Sequence, residues 1–255
     1  MLPLQRGILY GPVNSRRLGR SLGINLMPVE YKLCSFNCVY CHYGWTKIHT
    51  VDTSAYEKDM PRFDDVTDAV KKALESGEAF DYLTFSGNGE PTLYPAFSSI
   101  VAEIVRLRDR YRPGLKIALL SNSSGLSLAD VRNVMTLIDL PVFKLDAGAD
   151  RTFNNINRPD QNVDFEEIIE HLRSMNAIII QTVLVHGTPC NTQGQDLQAY
   201  FDRIRAIRPN AVHIYSIDRP VPNTNIERVL PEGLARIARL GIRSTGVEFK
   251  PYFLQ

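Results

Sequence analysis

Cys34, Cys38 and Cys41 fall within eight residues, spaced Cys-x3-Cys-x2-Cys. Thiols packed so tightly ask for a metal centre, and four arrangements compete for them. Structural zinc takes four ligands, commonly in two separated pairs; here His42 would have to be the fourth, directly beside Cys41. Cys38-Val39-Tyr40-Cys41-His42 matches the haem-attachment pattern Cys-x-x-Cys-His, but that attachment normally follows export and it leaves Cys34 unused. An iron–sulfur cluster usually takes four cysteines, so three leave one iron open to a substrate or cofactor. Reduced thiols also pack as small hydrophobes, yet neighbours such as Ser35, Asn37, Tyr40 and His42 make a poor core stripe.

Other polar residues gather at the ends of apolar runs: Ser86-Gly87-Asn88-Gly89-Glu90-Pro91, Ser121-Asn122, Asp146, His186-Gly187 and Asp218. Lys144 and Asp146 are two apart on a strand, so both point to one face; a structural ion pair and a ligand-binding pair both fit. A lone His186 is more often a hydrogen-bonded structural residue than a ligand-binding one. Arg16, Arg17 and Arg20 suit either a carboxylate or phosphate clamp or surface ion pairs. Cys190 stands alone, as a loop thiol.

The elements that must position these groups alternate. Residues 1–23, rich in Gly, Arg and Pro, read as irregular. Strands are expected at Ile24–Met27, Tyr82–Phe85, Ile117–Leu120, Val142–Leu145, Ile178–Val185 and Val212–Ile217. Apolar residues at helical spacing lie between them, such as Val66, Val70 and Leu74, stopped by Gly77. Ser127 and Asp130 form a capping-box pattern for a helix running to about Ile138, and Asp164 is the expected N-cap of the helix over Phe165–Leu172. Strict alternation predicts right-handed βαβ units and a parallel sheet, either an open doubly wound sheet or a full or partial barrel. Both place chemistry at the C-terminal strand ends, where the thiol loop and the polar turns fall. No linker or low-complexity segment interrupts residues 1–255, which predicts one domain, with 1–23 and 218–255 as extensions.

Lys and Arg number 29 against 28 Asp and Glu, which does not support a nucleic-acid partner such as tRNA. Four cysteines, three of them clustered, indicate a reducing, cytoplasmic compartment rather than a disulfide scaffold. Neither a secretory leader nor a membrane span is expected.

Cys34-x3-Cys38-x2-Cys41, with Tyr40 before the last thiol, resembles the signature of the radical S-adenosylmethionine (SAM) superfamily. Asn88-Gly89-Glu90-Pro91 resembles its Gly-Gly-Glu-Pro motif, with Asn88 in place of the first glycine. Ser15-Arg16-Arg17-Leu18-Gly19-Arg20, Ser86-Gly87-Asn88-Gly89-Glu90-Pro91-Thr92-Leu93 and Ile156-Asn157-Arg158-Pro159 are similar to an Fe–S oxidoreductase branch named for the wybutosine-synthesis enzyme that acts on tRNA. That enzyme carries extra N-terminal cysteines, which this chain lacks. The resemblance implies a partial (β/α)6 TIM-like barrel with the Fe–S site at the C-terminal strand ends. It implies a [4Fe–4S] cluster on Cys34, Cys38 and Cys41, with SAM chelating the fourth iron. SAM would be held by Tyr40, Asn88, Gly89, Glu90, Pro91, Ser121, Asn122, Lys144 and Asp146, and His186, ending the fifth expected strand, is a further candidate. It further implies an oxidoreductase fed by a reductant such as flavodoxin or ferredoxin, acting on an unidentified substrate. Modification of a tRNA guanosine, activation of a glycyl-radical enzyme, and a plain Fe–S electron-transfer or zinc-binding module are the alternatives.

Overall fold

A computed structural model describes residues 1–253. The chain divides into two compact units: an N-terminal unit of Leu4–Ser35 and Thr46–Pro141, and a C-terminal unit of Met1–Pro3, Phe36–Trp45 and Val142 onward. The thiol loop is split between them, with Cys34 in the first and Cys38 and Cys41 in the second.

In the N-terminal unit, β1 (Leu9–Ser15) and β2 (Gly19–Ile24) form an antiparallel hairpin where irregular structure was expected. Pro12 disguised it: proline is tolerated here because β1 is a sheet edge, and the register slips between Tyr10 and Val13. The first parallel strand is therefore β2, ending at Ile24, where the sequence predicted a strand beginning. The short strands β3 (Leu33–Cys34) and β4 (Ile48–His49) pair in parallel around the first thiol. Helix α1 (Phe63–Glu75) buries Val66, Val70 and Leu74, one stripe at i, i+4 and i+8. Gly77, at φ +76°, follows its end as expected. β5 (Tyr82–Phe85), α2 (Phe97–Tyr111) and β6 (Lys116–Ser121) complete two parallel crossovers in the order β2-β5-β6.

The helix expected over 127–138 is broken into a 3-10 turn at Ser124–Ser127, a short α3 (Ala129–Val134) and a second 3-10 turn at Met135–Leu137. The capping box does not form: Ser127 Oγ donates to the Ser124 carbonyl, and α3 has no side-chain cap. The upstream Asn and Ser side chains compete for the backbone instead. Asn122 Oδ1 accepts from Ser124 N–H, Ser121 Oγ accepts from Ser123 N–H, and Ser123 is left-handed at φ +80°.

In the C-terminal unit, β7 (Leu140–Lys144, in this unit from Val142), β8 (Ile179–Val183), β10 (Ala211–Tyr215) and β12 (Phe249–Pro251) run parallel in that order. Helices α4 (Asp150–Ile156), α5 (Phe165–Ser174), α6 (Gly194–Ile207) and α7 (Pro231–Thr245) lie between the strands in the chain. Asp164 caps α5 as predicted, accepting from Glu167 N–H at 2.8 Å. The expected run Ile178–Val185 divides into β8 and a separate β9 (Val185–Gly187), which pairs with β11 (Ile226–Arg228). No helix among the described residues is long and apolar enough to cross a membrane.

Candidate metal and cofactor site

Two polar networks meet the thiols, one in each unit. In the N-terminal unit, Cys34 ends β3, whose place is set by Gly89. A Cβ on Gly89 would sit 1.7 Å from the Leu33 carbonyl oxygen, so only glycine permits the bridge between these backbones. Beside it, the side chain of Asn88 is taken up by packing. Its amide donates to the carbonyls of Gln5 and Pro28 at 2.8 and 2.9 Å, and its Oδ1 accepts from Gln5 N–H at 2.7 Å. An asparagine here, instead of glycine, ties the turn to the N-terminal segment.

Glu90 is buried and links the ends of β5 and β6. Its Oε1 accepts from Thr92 N–H and Thr92 Oγ1, and its Oε2 from Asn122 N–H at 2.6 Å. Burial pushes the Glu90 carboxyl pKa up, opposed by the donors from Asn122, Thr92 and Ser121. Pro91 opens the 3-10 turn Pro91–Leu93 that Glu90 caps. The Asn122 side-chain amide reaches Ser35 Oγ at 2.8 Å and Cys34 Sγ at 3.5 Å. The network thus runs from Glu90 through Asn122 to the first thiol.

In the C-terminal unit, the thiol loop is laid along the segment after α4. Val39 N–H donates to the Ile156 carbonyl, and Asn37 N–H to those of Asn157 and Arg158. Val39 and Tyr40 pack into an apolar cluster with Ile156, Val183, Val185 and Ile226, and Cys38 lies against it. Beyond the end of β7, Asp146 gathers donors: Val183 N–H on Oδ1 at 2.7 Å, Asn157 Nδ2 on Oδ2 at 2.7 Å, and the Tyr40 hydroxyl on Oδ2. Lys144 Nζ closes an ion pair at 2.9 Å and lies 4.9 Å from the centroid of the Tyr40 ring. Burial, then the Asp146 carboxylate, raises the Tyr40 phenol pKa well above its usual value. Burial opposes charge on Lys144, but the carboxylate of Asp146 holds its pKa up. Asn157 completes the group: its amide lies 3.6 Å from Cys38 Sγ, and its buried Oδ1 has no hydrogen-bond partner among the described residues.

The sequence-predicted residues therefore fall into two sets: Cys34, Glu90 and Asn122 in one, Cys38, Tyr40, Lys144 and Asp146 in the other. Cys41 is half-buried, its N–H bonded to the Cys38 carbonyl. His186 stands apart on β9, bonded through Nδ1 to Thr192 Oγ1 at 2.7 Å, with Cys190 on the same hydroxyl. Arg16 and Arg17 occupy the β1–β2 turn, and Arg20 N–H meets Asp81. The residue sequence reasoning left without a role is Asn157. Its signal was present in the run Ile156-Asn157-Arg158-Pro159, but only the fold shows that the run contacts the thiol loop.

A family model described as the Radical SAM superfamily matches residues 31–192. The chain belongs to the radical SAM superfamily. Among curated relatives of this radical SAM chain, a UPF0026 protein of Methanocaldococcus jannaschii is 34% identical over 218 residues, covering 84% of this chain and 64% of the relative. A protein of Brachyspira hyodysenteriae named GTPase Obg is 28% identical over 233 residues, covering 89% of this chain and 32% of the relative. The chain thus spans about a third of one of these relatives and just under two thirds of the other. The solved structure of TYW1 with a lysine–pyruvate adduct bound matches with a TM-score of 0.58 at 15% identity, over 89% of this chain and 75% of that one. That likeness is one of fold, and it bears out the α/β class expected from sequence, a partial TIM-like barrel with a parallel sheet.

The superfamily brings SAM and an iron–sulfur cluster, and the residues here fit that pair. None of Cys34, Cys38 and Cys41 is in a disulfide. Two of the sulfurs have a side-chain amide beside them, the kind of hydrogen bond that tunes cluster thiolates. Among the described residues no three His, Cys, Asp or Glu side chains converge on a single metal ion; a cluster spreads its ligands over several irons, so its thiols need not converge on one point.

Proposed function

We propose that Cys34, Cys38 and Cys41 hold a [4Fe–4S] cluster and that the chain is a radical SAM enzyme working as a single catalytic core, with 1–23 and 218–255 as extensions. When bound, the reduced cluster supplies the electron that cleaves the sulfonium bond of SAM, giving methionine and a 5′-deoxyadenosyl radical that takes hydrogen from a substrate. The protein's own residues bind and orient. The observation that carries the reading is the pair of amide contacts to Cys34 and Cys38, made by Asn122 and Asn157, in a chain whose three thiols have this spacing.

Asn122 presents one sulfur and is itself fixed by Glu90. Asn157 presents another and is fixed by Asp146. Glu90, buried and already accepting three donors, is a rigid acceptor for an ammonium such as that of SAM's methionyl end. Tyr40, Lys144 and Asp146 form a charge-balanced group behind the loop, which holds the loop in register. Asn88, Gly89 and Pro91 set the backbone of the turn, Ser121 supports Glu90, and His186 lies on β9. A flavodoxin- or ferredoxin-type reductant would deliver the electron, in a reducing, cytoplasmic compartment.

Anaerobic reconstitution with iron and sulfide, then dithionite and SAM, tests the reading. The expected product is 5′-deoxyadenosine, absent from Cys38→Ala. A reconstituted protein with full iron and sulfide content that leaves SAM intact would sink it.

A further inference from the structure

A cavity of about 650 Å3 lies in the C-terminal unit, within the range of small-molecule sites, roughly 300–1,000 Å3. Its wall carries Trp45, the only tryptophan of the chain, 42% exposed. The Arg158 guanidinium lies over the indole at 4.8 Å from its centroid. Arg151 and Asn155 also line the cavity; they stand four apart on α4 and so share one face.

Charge gives this wall its character. Arg106, Arg108, Arg203 and Arg205 each pair with a carboxylate. Arg151 and Arg158, both exposed, have no such partner among the described residues. The acidic lining residue Asp196 is engaged by the Thr152 hydroxyl. Arg158 is also held in place at its backbone: φ is +46°, a left-handed value costly for arginine, and its carbonyl accepts from Asn37 of the thiol loop. Two unpaired guanidinium groups, an exposed indole face and an amide on one wall are complementary to an oxyanion on a flat body.

We propose that this cavity binds a small oxyanion carried on a planar conjugated ring, a carboxylate or a phosphate. Arg151 and Arg158 take the anion, Trp45 stacks on the ring and Asn155 bonds its polar edge. The cavity adjoins the thiol loop: Trp45 follows Cys41 by four residues, and Arg158 follows Asn157, whose amide lies at Cys38 Sγ. That this ligand is the compound giving up hydrogen rests on the radical SAM reading above; that it binds here does not.

Trp45 reports the test directly, since all tryptophan emission comes from this wall. The full chain, reconstituted under argon, is titrated with 4-hydroxyphenyl phosphate, 4-hydroxybenzoate, phenol and inorganic phosphate. 4-Hydroxyphenyl phosphate or 4-hydroxybenzoate should change the emission saturably, at least about tenfold more tightly than phenol, as charge-assisted bonds to arginine require. Which of the two saturates separates phosphate from carboxylate. Arg151→Gln and Arg158→Gln should each weaken binding by about fivefold or more at unchanged melting temperature, since both side chains are exposed. Phenol binding as tightly as the anion overturns the proposal. So does inorganic phosphate alone matching the aromatic anions, wild-type affinity in both Gln variants, or silence from the whole panel at millimolar concentration. Saturable emission changes without SAM cleavage would keep the pocket and sink the radical reaction; SAM cleavage with silent emission would do the reverse.

Discussion

Asn157 Nδ2 lies 3.6 Å from Cys38 Sγ although 119 residues separate the two in the chain. The same amide donates to Asp146 Oδ2 and approaches the Tyr40 hydroxyl, so its direction is fixed from three sides. A hydrogen bond to a ligating sulfur stabilises the more negative, reduced state of a cluster and raises its potential.

Replacing Asn157 by Ala should therefore lower the cluster potential. A net hydrogen bond of about 0.5–1.5 kcal/mol corresponds to roughly 20–60 mV for one electron. Potentiometric titration followed by electron paramagnetic resonance reads this without turnover. Asn122→Ala, acting at Cys34 Sγ, should move the potential in the same direction. Potentials unchanged in both folded, fully loaded variants would show that the two amides serve packing alone.

Glu90 gives a pH dependence with a definite sign. Burial raises its folded-state pKa above the unfolded value of about 4.3. Between those two values the native state binds more protons than the unfolded chain, so stability is fully present below pH about 4 and falls as pH rises through the window. Glu90→Gln should remove that slope in urea unfolding of the metal-free protein. It should also cost about 1–3 kcal/mol at neutral pH, because both carboxylate oxygens face donors and an amide NH2 would meet one of them. A variant with wild-type slope would show that Glu90 is not the group titrating.

Gly89→Ala has no room to relax, since the obstructing atom is backbone: the Leu33 carbonyl oxygen lies 1.7 Å from where the added methyl would sit. Overpacking of this kind costs about 1–3 kcal/mol or more, and the strain falls on the residue before Cys34. The expected result is a melting temperature several degrees lower, by roughly 2–4 °C per kcal/mol for a chain of this size, together with a reduced iron content. Gly77→Ala, at a site with nothing within 4 Å of the new Cβ, is the control. It should lose only the smaller strain of its positive φ and keep full iron loading.

What could be read before folding was whatever a local pattern encodes. The thiol spacing, the stripe Val66–Val70–Leu74 and the Asp164 cap needed only near neighbours, and each appears where the residues put it. Ser127 and Asp130 carried an equally local pattern that lost to Ser121 and Asn122, whose short side chains claimed the backbone N–H groups of Ser123 and Ser124 first. The β1–β2 hairpin was hidden because Pro12 is forbidden in a central strand but tolerated at an edge, and edge position is not a local property. Asn157 was hidden for the same reason: its amide acquires a role only when the segment after α4 is laid along residues 37–39. Tyr40 was expected only among the residues that would hold SAM; the fold engages its hydroxyl with Asp146 and its ring with Lys144.

Lys144 and Asp146 make the sharpest test of that group. The Asp146 side chain is fully buried and that of Lys144 is 15% exposed, so removing one partner strands a charge. Lys144→Met should cost about 3–5 kcal/mol, the range for breaking a buried pair. Asp146→Asn alone should also be costly, because Asp146 Oδ1 and Oδ2 together accept from Val183, Asn157 and Tyr40 as well as the lysine. Lys144→Met combined with Asp146→Asn leaves no net charge to strand, so it should recover part of the loss. A coupling energy of about 1–3 kcal/mol in the double-mutant cycle is expected for groups in direct contact. Additive losses would mean that the two side chains act independently, and the loop carrying Cys38 would then be held by Asn157 and the apolar cluster alone.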